Sequence, residues 1–179
     1  MLFRSDILGA KLFGDWRYKS DDETENPDFV LNKAKYRNSQ VLVAGKNFGC
    51  GSSRERAVWA LMQYGFKAVI SSSFGEIFLE NCYQNGLCPV VLPEKDVQTI
   101  AEGLEANPEP SLAVDLETNT VTAENGKTYK FSMPKERRTA LLEGLDELDQ
   151  LLRYDAARQE YQKSDQGKRP WIYARNSRR

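Results

Sequence analysis

The stretch "NFGCGSSRE" (47–55) gathers two glycines, a cysteine, two serines and an arginine into a few residues of chain. It follows an apolar run, "QVLVAG" (40–45), and leads into a segment where Ala57, Val58, Leu61 and Met62 recur at three- and four-residue intervals. That is the pattern of a buried strand, a tight loop and one face of a helix. A loop so placed is a ready anion site. The first N–H groups of a helix have no internal acceptors, and the aligned peptide dipoles add partial positive charge. Gly49 and Gly51, on either side of Cys50, let the main chain approach a ligand with no Cβ in the way. Ser52 and Ser53 add hydroxyls at the helix mouth, and Arg54 presents a planar fork that grips a carboxylate through two hydrogen bonds. A small di- or tricarboxylate or a phosphate suits such a site. The plainer alternative is that Ser52 or Ser53 caps the helix while Glu55 or Arg56 faces water.

Three familiar loop chemistries fit the letters poorly. A phosphate-binding P-loop needs Gly-Lys-Ser/Thr at the helix start, and "GKN" (45–47) comes too early and lacks the hydroxyl. A dinucleotide fingerprint needs a third glycine where Arg54 stands, and an acidic residue after the next strand. A nucleophile elbow needs Gly-x-Ser-x-Gly, which "GCGSSR" does not supply.

The chain contains no histidine. Ser-His-Asp and Cys-His mechanisms and histidine metal sites are therefore excluded, and proton transfer falls to a carboxylate, Lys, Tyr, Cys or an activated Ser. Cys50, Cys82 and Cys88 are odd in number and widely spaced, which argues against a disulfide framework or a zinc knuckle. They read as small hydrophobes in packing, with three ligands for an iron–sulfur cluster as the open alternative.

The elements that must position the loop follow a simple order. "KAVIS" (67–71) and "LCPVVL" (87–92) read as further buried strands. "SSFGEIFLENCYQNG" (72–86) reads as a helix capped by Ser72 or Ser73 and closed by Gly86, and "PEKDVQTIAEGLEAN" (93–107) as a helix opened by Pro93. Gly65 is placed to end the helix after the glycine loop. Strands alternating with helices in such short order predict parallel pairing, hence an α/β fold. "LAVDLETNTVTAENGKTYKFSM" (112–133) alternates around turn signals and reads as an added β-hairpin or meander at the domain edge. "KERRTALLEGLDELDQLLRYDAARQEYQKS" (135–164) reads as C-terminal helices broken near Gly144. Residues 1–38 show no clear period, and "SDDETENPDF" (20–29) reads as an acidic surface loop.

With 179 residues, 40% of them hydrophobic and 28% charged, the chain suits one domain, assigned to residues 1–164. Residues 165–179 read as a basic, flexible tail, with an acidic partner surface or RNA as the alternative use for "KRPWIYARNSRR" (168–179). A formal net charge of -1 gives the whole molecule no preference for polyanions, so no nucleic-acid partner is expected. No apolar run approaches the roughly 20 residues that span a bilayer, and "MLFRSDILGAKLF" lacks signal-peptide features. The expected location is cytoplasmic, with an organelle matrix as the alternative.

Taken together, "NPDFVLN" (26–32), "NFGCGSSRE" (47–55), "WALMQYGFKAVISSSFGEIF" (59–78) and "NGLCPVVL" (85–92) closely resemble the small subunits of 3-isopropylmalate dehydratases. These are swivelling-domain partners in the aconitase superfamily. The likeness runs from about Leu12 to the hairpins near Met133 and, more loosely, into "RRTALLEGLDEL" (137–148). It implies a swivelling β/β/α domain that isomerises 2-isopropylmalate and 3-isopropylmalate by dehydration and rehydration in leucine biosynthesis. It also implies a large-subunit partner that carries the [4Fe–4S] cluster, with no cofactor or metal held by this chain. By position, Ser52 matches the serine whose alkoxide takes the substrate proton, while Ser53 and Arg54 match groups that bind a substrate carboxylate. Gly49, Cys50 and Gly51 match the backbone of the anion loop.

Two departures bear on these expectations. The family reads Ser-Ser-Arg-Glu-His where this chain has Arg56 in the last place. Family members also carry an amino-terminal stretch, with Asp-Thr-Asp ahead of Ile-Ile-Pro, that lies before the first matching residues here, "RSDILGAKLFGDWRY" (4–18). A diverged paralogue acting on another 2-alkylmalate and a non-catalytic regulatory subunit are the alternatives these departures raise.

Overall fold

The structure, a computed structural model, describes residues 8–19 and 24–173. It divides into two compact units, Met1–Gly144 and Leu145–Arg179. In the first unit a short helix, α1 (Gly14–Arg17), and two 3₁₀ turns, Val30–Asn32 and Ala34–Tyr36, precede strand β1 (Val41–Val43). Helix α2 (Arg56–Tyr64), β2 (Ala68–Ser71), α3 (Glu76–Asn85), β3 (Cys88–Val91) and α4 (Glu94–Ala106) follow. The three strands pair in parallel in the order β1-β2-β3, with Val41 opposite Ala68 and Ala68 opposite Cys88, as the alternation of strands and helices predicts. Strands β4 (Leu112–Asp115), β5 (Thr120–Ala123) and β6 (Thr128–Lys130) form a separate antiparallel sheet, the expected meander, and α5 (Lys135–Glu143) closes the unit.

Central strand β2 is buried along its whole length, because both faces of the parallel sheet are covered. Successive side chains point to opposite faces. Ala68 and Ile70 pack with Val90, Val97 and Ile100, with Val121 and Tyr129 of the antiparallel sheet, and with Phe131 just after it. Val69 packs on the other face with Val58 and Leu61 of α2 and with Phe78 and Cys82 of α3. Each fully buried aliphatic side chain contributes on the order of 1.5–3 kcal/mol, so this layering fixes where β1 and β2 end. Their carboxyl ends meet at one edge of the domain.

The start of one helix differs from expectation. Helix α3 starts at Glu76, with Gly75 at its N-cap, so neither Ser72 nor Ser73 caps it. Pro93 opens α4 from its N-cap, and Gly65 ends α2 as expected, its N–H shared between the Leu61 and Met62 carbonyls. Residues 8–38 lack periodicity because polar contacts organise them. Buried Arg17 donates to the carbonyls of Gly9 (3.3 Å) and Ala10 (3.2 Å), and its guanidinium stacks 4.9 Å from the Tyr64 ring. Asn32 donates to the carbonyls of Arg17 and Asn26. Of the acidic loop, residues 20–23 lie outside the described residues.

The second unit holds α6 (Glu147–Leu152), α7 (Asp155–Lys168) and α8 (Pro170–Tyr173). Gly144, with φ of 65°, ends α5 where the sequence predicts a break. Asp146 caps α6 in a reciprocal pair with Asp149. Buried Asp165 ties α7 to α8 by accepting from Arg169 Nε (2.7 Å) and from the Tyr173 hydroxyl (2.8 Å). The first part of the 165–179 segment is thus helical, and residues 174–179 lie outside the described residues. Among the described residues no helix is long and apolar enough to cross a membrane.

Candidate active site

The glycine loop leaves β1, crosses the carboxyl end of β2 and enters α2. Its seat is a second loop, residues 72–75, which leaves β2. Phe48 and Phe74 form a parallel bridge, with the Phe48 N–H donating to the Ser73 carbonyl (3.0 Å) and the Gly75 N–H to the Phe48 carbonyl (2.9 Å). Asn47, with φ of 57°, donates its N–H to Ser73 Oγ (2.8 Å), and that hydroxyl lies 3.1 Å from Asn47 Oδ1. Buried Ser71 Oγ lies 2.7 Å from the Gly45 carbonyl and 2.8 Å from that of Ser73, fastening both loops below the site.

Two glycines are required by this packing. Gly49 has φ of 78°, and a Cβ there would be driven into the Phe78 ring. Gly75 lies so close to Cys50 that a Cβ would stand 2.8 Å from its Cα. The loop therefore presses on the apolar floor of the fold and turns its polar side outward.

Cys50, Gly51, Ser53 and Arg54 are exposed and Ser52 is half-buried, so an external molecule can reach the turn. Ser52 donates its N–H to the Gly49 carbonyl (3.3 Å), and its Oγ accepts from the Arg54 N–H (3.3 Å). That two-residue turn ends before α2 begins. Glu55 is the helix N-cap and makes no side-chain cap, so neither Ser52 nor Ser53 caps the helix. Among the described residues, the amides of Ser53 and Glu55 have no acceptor and the Arg54 guanidinium has no partner. The geometry thus brings together, at one solvent-facing helix entrance, a hydroxyl, open amide donors and an uncommitted guanidinium. Such a set binds carboxylate oxygens and stabilises negative charge on a nearby oxygen.

Helix α3 holds the loop from the side. Asn81 Nδ2 donates to the Ser53 carbonyl (3.4 Å), and Asn85 Nδ2 donates to Glu55 Oε1 (2.8 Å). Trp59 Nε1 donates to Asn85 Oδ1 (2.8 Å). The sequence reading missed Asn47, Ser73, Asn81 and Asn85. The four-residue spacing of the last two, on one helix face, was the available signal.

The three thiols are not arranged as a ligand set. Cys82 and Cys88 are buried, Cys50 is exposed on the loop, and no group of three potential ligands gathers among the described residues. Burial pushes Cys88 up to about 12 and Cys82 higher, and neither buried thiol joins Cys50 in one ligand group. The chain's cysteines therefore do not fit an iron–sulfur cluster. Accordingly, a thiol reagent at pH 8 is expected to label one cysteine of the native chain, Cys50, and three after denaturation, as counted by mass spectrometry. Raising the pH from about 9 to about 12 removes the stabilisation of the two buried neutral thiols, because they ionise first in the unfolded chain. Labelling of all three is then expected.

Comparison with known proteins finds relatives over most of the chain. Residues 3–95 match the profile of the aconitase C-terminal domain, and residues 98–133 match a profile described as LeuD_N. The chain is similar to the 3-isopropylmalate dehydratase small subunit of Paracoccus denitrificans, with 44% identity over 92% of this chain and 82% of the relative. It is also similar to that of Leptospira interrogans, with 41% identity over 93% and 82%. Among solved structures it resembles a 3-isopropylmalate dehydratase from Methanocaldococcus jannaschii, with a TM-score of 0.51 and 33% identity over 68% of each chain. A parallel α/β core, matched over most of the chain to proteins of one name, places this chain in the 3-isopropylmalate dehydratase small-subunit family, the swivelling-domain branch of the aconitase superfamily.

Proposed function

We infer that the chain works as the small subunit of a hydro-lyase, 3-isopropylmalate dehydratase, in leucine biosynthesis. The enzyme interconverts 2-isopropylmalate and 3-isopropylmalate by losing water and adding it back at the neighbouring carbon. The observation that carries this reading is the match at 41–44% identity over most of the chain to small subunits of that name. The physical support is the exposed, half-complete anion site at residues 49–54.

The residue roles are proposals. Ser52 removes the substrate proton during dehydration and returns one during hydration. A serine hydroxyl is far too weak an acid for this unaided, so its anion needs positive surroundings. The helix entrance and Arg54 provide them once water is excluded. Arg54 and Ser53 hold a substrate carboxylate, with the open amides of Ser53 and Glu55 as further donors. Gly49, Cys50 and Gly51 keep the main chain close enough for these contacts. The Lewis acid that takes the departing hydroxyl is assigned to a [4Fe–4S] cluster in the large subunit. Ser52 and Arg54 lie on the surface of one chain, which suits a site closed by a second polypeptide.

The test is to mix the purified chain with a cluster-loaded large subunit and follow the unsaturated acid by absorbance. Turnover is expected from the pair and from neither chain alone. Within that assay Arg54→Lys should raise KM by about ten- to a hundredfold, because a lysine lacks the planar fork and leaves a carboxylate bond unmade. An unchanged KM would remove Arg54 from the carboxylate site.

A further inference from the structure

Two asparagines of α3, one helical turn apart, reach across to the glycine loop. Asn85 Nδ2 donates to Glu55 Oε1, and its own Oδ1 accepts from Trp59 Nε1, which braces the first turn of α2 against α3. Asn81 Nδ2 donates to the Ser53 carbonyl (3.4 Å). A carbonyl oxygen only accepts, so Asn81 meets it through the amide nitrogen and never through Oδ1. The helix that carries both residues is locked by Phe78 and Cys82, which are buried in the core.

The Ser53 carbonyl belongs to the same planar peptide unit as the Arg54 N–H. Peptide bonds among the described residues are trans, so the two groups point in opposite directions. Held by its carbonyl to α3, the unit directs the Arg54 N–H away from α3, and the acceptor it meets is Ser52 Oγ (3.3 Å). Bonds of 3.3 and 3.4 Å exceed the usual limit of about 3.2 Å, so neither alone fixes the unit and losing one loosens the other. A hydrogen bond to an oxygen favours its anionic form and roughly doubles in strength when that oxygen is charged.

We propose that Asn81 is a positioning residue for the dehydration step: through the Ser53–Arg54 peptide it keeps a main-chain donor aimed at Ser52 Oγ. The proposal rests on the assignment of Ser52 as the base. Asn81 reaches the main chain of Ser53, not the side chains of Ser53 and Arg54 assigned to the carboxylate, so its loss falls on kcat rather than KM.

In the assembled enzyme Asn81→Ala is expected to lower kcat about tenfold, the worth of one hydrogen bond made in the transition state, and to change KM by less than about twofold. Asn81→Asp keeps the shape and loses the donor, so it should lower kcat at least as far. Near-native kcat from Asn81→Asp would overturn the proposal. In a Ser52→Ala background Asn81→Ala should have no further effect, because Asn81 acts through that hydroxyl. A second tenfold loss there would make Asn81 a support of the fold alone and overturn the proposal. The free chain separates this proposal from the base assignment. Exchange of the Arg54 amide, followed by NMR, should be at least threefold faster in Asn81→Ala than in the unaltered chain. Unchanged exchange would overturn the proposal and leave the base assignment standing. Faster exchange together with full turnover by Ser52→Ala would instead remove the base, and with it the catalytic purpose of the tether.

Discussion

Replacing Ser52 by alanine in the assembled enzyme should lower kcat by about 10²–10⁴-fold, the usual contribution of a positioned general base. The same change should leave stability within about 0.5 kcal/mol, because Ser52 Oγ accepts only the Arg54 N–H at a solvent-facing turn. The pairing of these outcomes is informative. A serine that merely shaped the turn would cost stability and change KM along with kcat. A base acting in the transition state lowers kcat and kcat/KM together and leaves KM alone. Steady-state kinetics and a denaturation curve on the same preparation separate the two. Full turnover by Ser52→Ala would take the base role away from this residue.

Phe78→Ala should be the most damaging single change to the fold near the site. Phe78 is 2% exposed, lies edge-on to Phe48 at 5.4 Å between ring centroids, and stacks with Phe74 at 6.3 Å. Removing a ring from such a position costs about 3–5 kcal/mol through lost transfer energy and the cavity left behind. That is a large share of the roughly 5–15 kcal/mol that holds a domain folded. The ring is also the floor on which Gly49 rests, so its loss should shift residues 49–54 and lower kcat/KM in molecules that stay folded. Phe78→Leu keeps most of the volume and should recover much of the stability. Midpoints of urea denaturation for the two variants measure the difference. Equal midpoints for Phe78→Ala and the unaltered chain would show that the aromatic floor does not hold the loop's foundation.

The parallel sheet was legible because both of its signals are local. "KAVIS" and "LCPVVL" are apolar runs bounded by turn residues, and the helices between them carry a clear apolar face. The residue types of the glycine loop were legible for the same reason, since Gly49, Gly51, Ser52 and Arg54 fall within six residues of chain. What holds that loop was not. Ser73 bonds to Asn47 across 26 residues of chain, and Asn85 reaches Glu55 across 30. Such pairings exist only once β1 and β2 lie side by side. The start of α3 was misplaced for a related reason: Ser73, a good helix cap in isolation, is already engaged by Asn47, and the chain stays extended to Gly75. Residues 8–38 were opaque because buried Arg17 and Asn32 organise them through carbonyl contacts that leave no periodic trace.

The central claim is that residues 49–54 form half of a site, closed by a second polypeptide over an exposed turn. Cys50 sits in that turn with its thiol at the surface, two residues from Ser52. The most direct measurement is the rate at which a thiol reagent modifies Cys50 in the free chain and in the catalytically active pair holding a non-reacting dicarboxylate. A fall of at least tenfold on assembly is the expected result. An active, ligand-loaded pair in which Cys50 reacts as fast as in the free chain would contradict it.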